Sequence, residues 1–158
     1  MEYIQANKAE PENGRCVFCS LLEGPSDDEP RVLARDEHAF TTLAKYPYNP
    51  GHLLVLPTRH VGELEELSAD ENAAVARLLQ RSVSALSAAS APHGFNIGLN
   101  LGHVAGAGLP EHLHWHVVPR WSGDTNFMPV VGATRVLPEL LAETYTKLAP
   151  YFGGKGEG

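Results

Sequence analysis

The sequence predicts an α+β fold with a mainly antiparallel sheet, one long helix and one C-terminal helix. Short apolar runs of strand length occur within residues 31–58 and 95–117, and an amphipathic segment of helix length, residues 68–90, separates them. A second amphipathic segment lies near the C-terminus. Strands and helices do not alternate regularly, so parallel βαβ units are not expected.

Three strands are predicted in the first part of the chain. Residues 31–36 and 38–44 form short apolar runs on either side of an Asp-Glu turn. A proline-rich loop follows at Tyr46 to Gly51. The run "HLLVLPT", His52 to Thr58, is apolar and short enough to be a buried strand.

The long helix is predicted from its start signal and its periodicity. Residues 61–67 read as a short helical turn, and Ser68 and Glu71 then have the spacing of a capping box. The helix should continue to about Ser90. Its expected buried face comprises Val75, Leu78, Leu79, Val83 and Leu86.

The remaining elements follow the long helix. A strand is expected at Phe95 to Leu101, and a further short strand at Arg135 to Leu137. Pro138 suits a first helical turn and should open a last helix that ends near Ala149.

Length and composition limit the possible classes of protein. The chain of 158 residues fits one domain, assigned to residues 16–150, with a flexible lead-in at 1–15 and a flexible tail at 151–158. The formal net charge of −7 and the scattered basic residues disfavour nucleic-acid binding. The sequence has neither an apolar run of membrane-spanning length nor a leader, so a cytoplasmic protein is expected.

Three histidines at alternate positions are the strongest chemical signal. His112, His114 and His116 occur in "EHLHWHVVPRW", and strand periodicity would place their imidazoles on one face, with apolar residues on the other. Pro119 should limit further pairing of this strand. Such a row could hold a metal ion, or the middle imidazole could act as a nucleophile supported by its neighbours.

A glycine-rich segment, "NIGLNLGHVAGAG", immediately precedes the histidines. Gly98, Gly102, Gly106 and Gly108 permit positive φ and close backbone approach, which are the conditions for an anion-binding nest. They could also form only a flexible turn. Together with the histidines, the segment favours phosphate binding.

The only two cysteines are Cys16 and Cys19, in "CVFC". This spacing is typical of a redox pair or of half a zinc site. The redox interpretation requires a strand before the motif, whereas a polar segment precedes it here. A zinc site requires two further ligands.

"HLHWHVV" resembles the signature of the histidine triad (HIT) family. The wider run "NLGHVAGAGLPEHLHWHVVPRWSGDTNF", with "KYPYNPGHLLVLPTRH" and "HGFNIG", is similar to the bacterial branch of dinucleoside polyphosphate hydrolases and phosphorylases. The resemblance implies a HIT fold, usually a homodimer built across the sheet and the long helix. It also implies an enzyme acting on a purine nucleotide or a dinucleoside polyphosphate, without an organic cofactor.

The resemblance assigns roles to individual residues. The expected catalytic residues are His112, His114 and His116, with His114 as the nucleophile that forms a nucleotidyl-histidine and His116 as the donor to a phosphoryl oxygen. His52 belongs to a hydrogen-bond network behind the catalytic imidazole. The zinc ligands implied are Cys16, Cys19, His60 and His112, and the phosphate or nucleotide contacts are Asn100, Gly106, Ala107, Gly108 and Lys45.

Two departures from the family pattern affect the expected substrate. Many relatives have Asn at the position of Ala44, which is associated with ribose contact. The Ser or Thr that assists the leaving group in the phosphoramidase branch is missing, because Gly108, Leu109 and Pro110 precede the triad. Dinucleoside polyphosphate cleavage is therefore favoured, and the alternatives are adenosine phosphoramidate hydrolysis or nucleotide binding with little turnover.

Overall fold

The computed structural model describes residues 14–23, 31–124 and 140–153. Within these ranges five strands form one sheet in the order β1-β2-β3-β5-β4, and all neighbouring strands are antiparallel. The strands are β1 Val32–Arg35, β2 Ala39–Leu43, β3 Leu53–Pro57, β4 Gly94–Leu99 and β5 Trp115–Arg120. The predicted α+β class is confirmed.

Three helices accompany the sheet in the same described ranges. They are α1 Val17–Ser20, α2 Ala69–Ser90 and α3 Leu141–Phe152, and single 3₁₀ turns lie at Leu64–Glu66 and His103–Ala105. The predicted capping box at the start of α2 is present, because Ser68 and Glu71 each accept a hydrogen bond from the other's backbone N–H. No helix in the described ranges is long and apolar enough to cross a membrane.

The two faces of the sheet carry different apolar clusters, as a side-chain period of two requires. One face packs against α2 and α3 and includes Leu43, Leu53, Val55 and Val117. The expected α2 face is confirmed, because Val75, Leu78 and Leu86 are buried and Leu79 and Val83 pack against this cluster.

The opposite face carries a smaller apolar cluster. It comprises Phe40, Ala44, Leu54 and Leu56, and residues of α1 and β1 pack against it. His116 is paired with Leu54 across β3 and β5, and directly paired residues share a face. His116 therefore lies on the face that α2 does not cover.

Several element boundaries differ from the sequence-based expectation. The C-terminal helix extends beyond Ala149 to Phe152, and Phe152 is buried in the core rather than part of a tail. Pro119 does not end the pairing of β5 with β4, since it is paired with Phe95. Toward β3, however, pairing stops at Val117. The expected strand at Arg135 to Leu137 and the helix start at Pro138 lie outside the described residues.

Candidate active site

Only the last of the three alternating histidines lies in a strand. β5 begins at Trp115, so the prediction that one strand carries all three imidazoles was wrong for His112 and His114. The Leu113 N–H donates to the Val61 carbonyl at 2.8 Å, and a Cβ atom on Gly62 would lie 2.8 Å from the Pro110 carbonyl oxygen. This close contact with the loop after β3 directs the segment away from sheet pairing.

The His112 ring is fully buried and turned toward the cysteines. Its Nε2 lies 2.9 Å from the Pro57 carbonyl oxygen, which only accepts hydrogen bonds, so Nε2 carries the proton. The unprotonated Nδ1 then faces Cys16 Sγ at 3.5 Å and Cys19 Sγ at 3.6 Å. The ring has the tautomer of a metal ligand.

His114 has the opposite tautomer. Its Nδ1 lies 2.9 Å from the His112 carbonyl oxygen and therefore donates, which leaves a lone pair on Nε2. The side chain is buried, and its ring centroid lies 5.2 Å from that of His116 and 5.1 Å from that of Phe18. Burial lowers the pKa of His114 below its usual value, so the ring is neutral near pH 7.

A directed chain of hydrogen bonds leads to His116. The Tyr48 N–H donates to His52 Nδ1 at 3.1 Å, so His52 carries its proton on Nε2. This Nε2 lies 3.0 Å from His116 Nδ1, which accepts, and His116 therefore carries its proton on Nε2. Burial is the main cause that lowers the pKa of His52 to about 3 and that of His116 to about 4.

The glycine-rich segment is only partly the expected nest. Gly102 and Gly106 have positive φ, of 76° and 97°, whereas Gly98 belongs to β4 and Gly108 does not have a positive φ. The Gly106 N–H donates to the His103 carbonyl and the Ala107 N–H to the Gly102 carbonyl, so these amides are used inside the loop. In the described part of the chain, only the Gly108 N–H among the three expected donors has no backbone acceptor.

The other expected nucleotide contacts are distributed unevenly. Asn100 follows β4, and its Nδ2 would lie 3.6 Å from a Cβ atom on Gly106, so its side chain adjoins the glycine loop. Lys45 is exposed, with its Nζ 5.8 Å from the centroid of the Tyr46 ring. Ala44 is buried within the smaller apolar cluster.

The four expected zinc ligands form one cluster. The donor atoms of Cys16, Cys19, His60 and His112 all lie within 4.8 Å of one another. Cys19 Sγ lies 3.4 Å from His60 Nδ1. His112 Nδ1 lies 3.5 Å from Cys16 Sγ and 3.6 Å from Cys19 Sγ. A tetrahedral zinc ion with usual bond lengths would separate sulfur and nitrogen ligands by about 3.6 Å, so the cluster fits zinc.

The two cysteines lie beside two imidazoles, which favours the zinc interpretation over the redox pair. Burial, followed by the neighbouring Cys16, raises the pKa of Cys19 to about 11, so its thiolate form requires a nearby cation such as a metal ion.

Sequence reasoning missed the aromatic residues around the histidines. Phe18 packs against both His112 and His114, and Tyr48 stacks on His52 and His116. The only available signal was their position, between the two cysteines for Phe18 and in the proline-rich loop for Tyr48.

The low pKa of His52 predicts acid sensitivity of the fold. Unfolded His52 titrates near 6.5 and the native residue near 3, so below pH 6.5 only the unfolded state takes up the proton. Lowering the pH to about 5 should therefore cost roughly 2 kcal/mol of unfolding free energy through this residue. Glu71, with a pKa lowered to about 2 by Arg59, contributes only at lower pH.

Urea unfolding of the wild type and of His52→Gln, at about pH 7.5 and about pH 5, measures this contribution. The variant should lose roughly 2 kcal/mol less than the wild type between the two pH values. Because the cluster of cysteine and histidine ligands is identical in both proteins, acid release of a metal affects them equally. An equal loss in the two proteins would contradict the assigned pKa.

Comparison with known proteins identifies relatives of this chain. The sequence profile of the HIT domain matches residues 26–123. The AP-4-A phosphorylase of Mycobacterium tuberculosis is 50% identical over 124 residues, a match that covers 78% of this chain and 64% of that protein. The chain thus spans slightly less than two thirds of that relative's length.

Two further relatives bear on the substrate and the metal. An adenosine 5′-monophosphoramidase of Schizosaccharomyces pombe is 30% identical over 106 residues, covering 66% of this chain and 74% of the relative. The crystal structure of a Zn-bound histidine triad family protein from Mycobacterium smegmatis has a TM-score of 0.69 and 29% identity, and the match covers 89% of this chain and 95% of that one.

Proposed function

The chain belongs to the HIT family, and from that membership we propose that it cleaves dinucleoside polyphosphates such as diadenosine tetraphosphate through a covalent nucleotidyl-histidine. The observation that carries the proposal is the tautomer of His114. Its Nδ1–H is held by the His112 carbonyl at 2.9 Å, which leaves the Nε2 lone pair for attack. The identity of 50% with an AP-4-A phosphorylase supports the substrate class.

The reaction would proceed in two displacements. In the first, His114 Nε2 attacks an α-phosphorus, a phosphorus–nitrogen bond forms, and the phosphorus–oxygen bond to the leaving polyphosphate breaks. In the second, water or inorganic phosphate attacks the same phosphorus and the phosphorus–nitrogen bond breaks. His114 returns to its neutral form when the attacking group loses its proton. The lowered pKa of His114 supports a neutral nucleophile near pH 7.

His116 would donate from Nε2–H to a nonbridging phosphoryl oxygen as negative charge develops there. The direction of the chain from Tyr48 through His52 supports this role, because it leaves His116 with a proton only on Nε2. The Gly108 amide and the Asn100 side chain are the proposed donors from the glycine loop.

The purine would bind against the smaller apolar cluster. Phe40, Ala44 and Leu54 lie on the sheet face that also carries His116, and Phe18 packs against both this cluster and His114. With Ala44 in place of the Asn found in many relatives, the ribose would lose one hydrogen-bonding partner. Lys45 is the adjacent exposed cation that could contact phosphate or ribose.

Product analysis with diadenosine tetraphosphate tests the proposal. We expect ADP plus ATP only when inorganic phosphate is present if the protein is a phosphorylase, and AMP plus ATP without phosphate if it is a hydrolase. Adenosine phosphoramidate is the second substrate to assay, because a phosphoramidase is among the relatives. Cleavage of the phosphoramidate with no cleavage of the dinucleotide would overturn the proposal.

The cysteine and histidine cluster is proposed to hold a structural zinc ion. The tautomer of His112, with Nδ1 unprotonated toward the sulfur atoms, supports ligation. Zinc at this position would tie α1 to the segment that carries the triad. The two unpaired cysteines also suit a reducing compartment, and we propose a cytoplasmic location.

Removal of this zinc should destabilise the protein. At free zinc about 1,000-fold above its dissociation constant, bound zinc contributes about 4 kcal/mol. Chelation should therefore lower the melting temperature by about 10 °C. Metal analysis should find one zinc ion per chain in the wild type and in the control His93→Asn, and none in the double variant Cys16→Ser with Cys19→Ser. Wild-type protein purified without chelator and free of zinc would contradict the assignment.

A homodimer is proposed through the outer edge of β4. This strand ends the described sheet, and Ile97 is 47% exposed on it, with the exposed Leu101 and Val104 close by in sequence. Ile97→Lys should shift sedimentation velocity from dimer to monomer, whereas Tyr151→Lys, on the exposed surface of α3, should not. A wild-type monomer would contradict this assembly.

A further inference from the structure

The Tyr48 ring lies over the two imidazoles that lead to the proposed phosphoryl donor. Its centroid is 4.8 Å from that of His52 and 5.8 Å from that of His116, with interplanar angles of 25° and 22°. We propose that Tyr48 is a positioning residue, whose ring fixes the planes of His52 and His116 so that His116 presents Nε2–H to the phosphoryl oxygen. This inference rests on the proposed function of His116.

The hydrogen bonds alone do not fix these rings. The contact of 3.0 Å between His52 Nε2 and His116 Nδ1 fixes the line that joins the two nitrogen atoms. Either ring plane can still rotate about that line. The last side-chain torsion of histidine is broad, so a second restraint is needed. The His114 ring contacts His116 edge-on, with an angle of 66° between the two ring planes. The Tyr48 ring stacks on His116 and so limits rotation of the His116 ring in a different direction.

The loop that carries Tyr48 is itself anchored to β5. Asn49 Nδ2 donates to the Pro119 carbonyl at 2.9 Å and to Asp124 Oδ2 at 3.0 Å. Two hydrogen bonds of 2.7 Å from Arg120 hold the Asp124 carboxylate. The ring position is therefore set by the strand that carries His116, although Tyr48 is 50% exposed.

The Tyr48 side chain could act in two ways, through contacts of its ring or through a hydrogen bond of its hydroxyl. No hydrogen bond of the Tyr48 hydroxyl is found among the described residues, so the contacts that carry the argument belong to the ring. Phenylalanine should then replace tyrosine without loss, whereas an aliphatic residue of similar volume should not. Both imidazoles are neutral near pH 7, so each can adopt either of two tautomers. The hydrogen bonds that select the Nε2–H tautomers require aligned ring planes, so rotation of the rings after loss of the Tyr48 ring should break this alignment and allow a mixture.

The test compares Tyr48→Phe and Tyr48→Leu with Tyr151→Leu, a half-exposed tyrosine on α3 that contacts none of these histidines. We expect Tyr48→Phe and Tyr151→Leu to keep wild-type kcat. Tyr48→Leu should lower kcat by about tenfold or more with little change in KM, because misplacement of a donor acts on the transition state. Tyr48→Ala serves in place of Tyr48→Leu if the latter does not fold.

Imidazole nitrogen NMR of the free protein provides a readout that does not depend on activity. In the wild type and in Tyr48→Phe, His52 and His116 should each be protonated on Nε2 alone, and in Tyr48→Leu the signals should show mixed tautomers. Unchanged tautomers and unchanged kcat in Tyr48→Leu would overturn the inference. If the wild type forms no nucleotidyl-histidine, the proposed function fails separately, since the NMR result still reports on Tyr48.

Discussion

His114→Asn should lower turnover of diadenosine tetraphosphate by about 10⁴-fold or more, because the nucleophile is lost. The Asn side-chain amide can still donate to the His112 carbonyl, as His114 Nδ1 does at 2.9 Å, so the local backbone should be retained. No atom of Asn occupies the place of Nε2 with a nucleophilic lone pair. Nucleotide affinity, measured by calorimetry with a nonhydrolysable analogue, should stay within about threefold of the wild type.

The same substitution at His93 is the matched control. His93 precedes β4 and contacts Ser122, near the end of β5 opposite to the triad, so His93→Asn should keep wild-type turnover. Turnover by His114→Asn within about tenfold of the wild type would exclude His114 as the nucleophile.

His116→Ala should lower kcat by about 10² to 10³-fold with little effect on KM, since the donated hydrogen bond strengthens as charge develops in the transition state. The substitution also removes the partner of His52 Nε2, which lies 3.0 Å from His116 Nδ1. His52 is almost completely buried, so part of the cost should appear as lower stability. Kinetics well below the melting temperature of the variant separate the two effects.

His52→Gln provides the comparison for His116→Ala. It also breaks the chain, but it leaves the proposed phosphoryl donor in place, so its loss of kcat should be smaller. A His116→Ala variant with unchanged kcat and a raised KM would mean that His116 contributes only to ground-state binding.

The sequence predicted which side chains of β5 face the core, but it did not predict the backbone conformation at His112 and His114. Alternation correctly placed Trp115 and Val117 against the core and His116 on the other face, because β5 is a regular strand. It failed for His112 and His114, because their segment bonds to Val61 in a loop about fifty residues earlier. Periodicity contains no information about such a contact.

The zinc cluster and the tautomers depend on contacts between distant residues. Cys16 and His112 are separated by 96 positions, and only the family resemblance suggested that they meet. Likewise, the proton positions of His112 and His114 follow from backbone carbonyls whose places are set by the fold. Residue type alone leaves both tautomers equally available.

The glycine loop shows the limit of composition as a guide. Gly102 and Gly106 have the positive φ that their residue type permits, yet two of the three expected amide donors bond within the loop. The sequence could not reveal this, because a nest and a self-bonded turn have the same glycine content. In the same way, nothing in the composition of the proline-rich loop indicated that Tyr48 stacks on His116.

The stereochemical course at phosphorus tests the central claim most directly. Diadenosine tetraphosphate with sulfur at both α-phosphorus atoms in one configuration would be cleaved by the wild type with inorganic phosphate, or in oxygen-isotope-labelled water if water is the acceptor. The product is then chiral at phosphorus, and its configuration would be determined by phosphorus NMR. Each in-line displacement inverts phosphorus, so two displacements through His114 predict net retention, whether or not the intermediate accumulates. Net inversion would show direct attack by water or phosphate and would contradict a nucleotidyl-histidine.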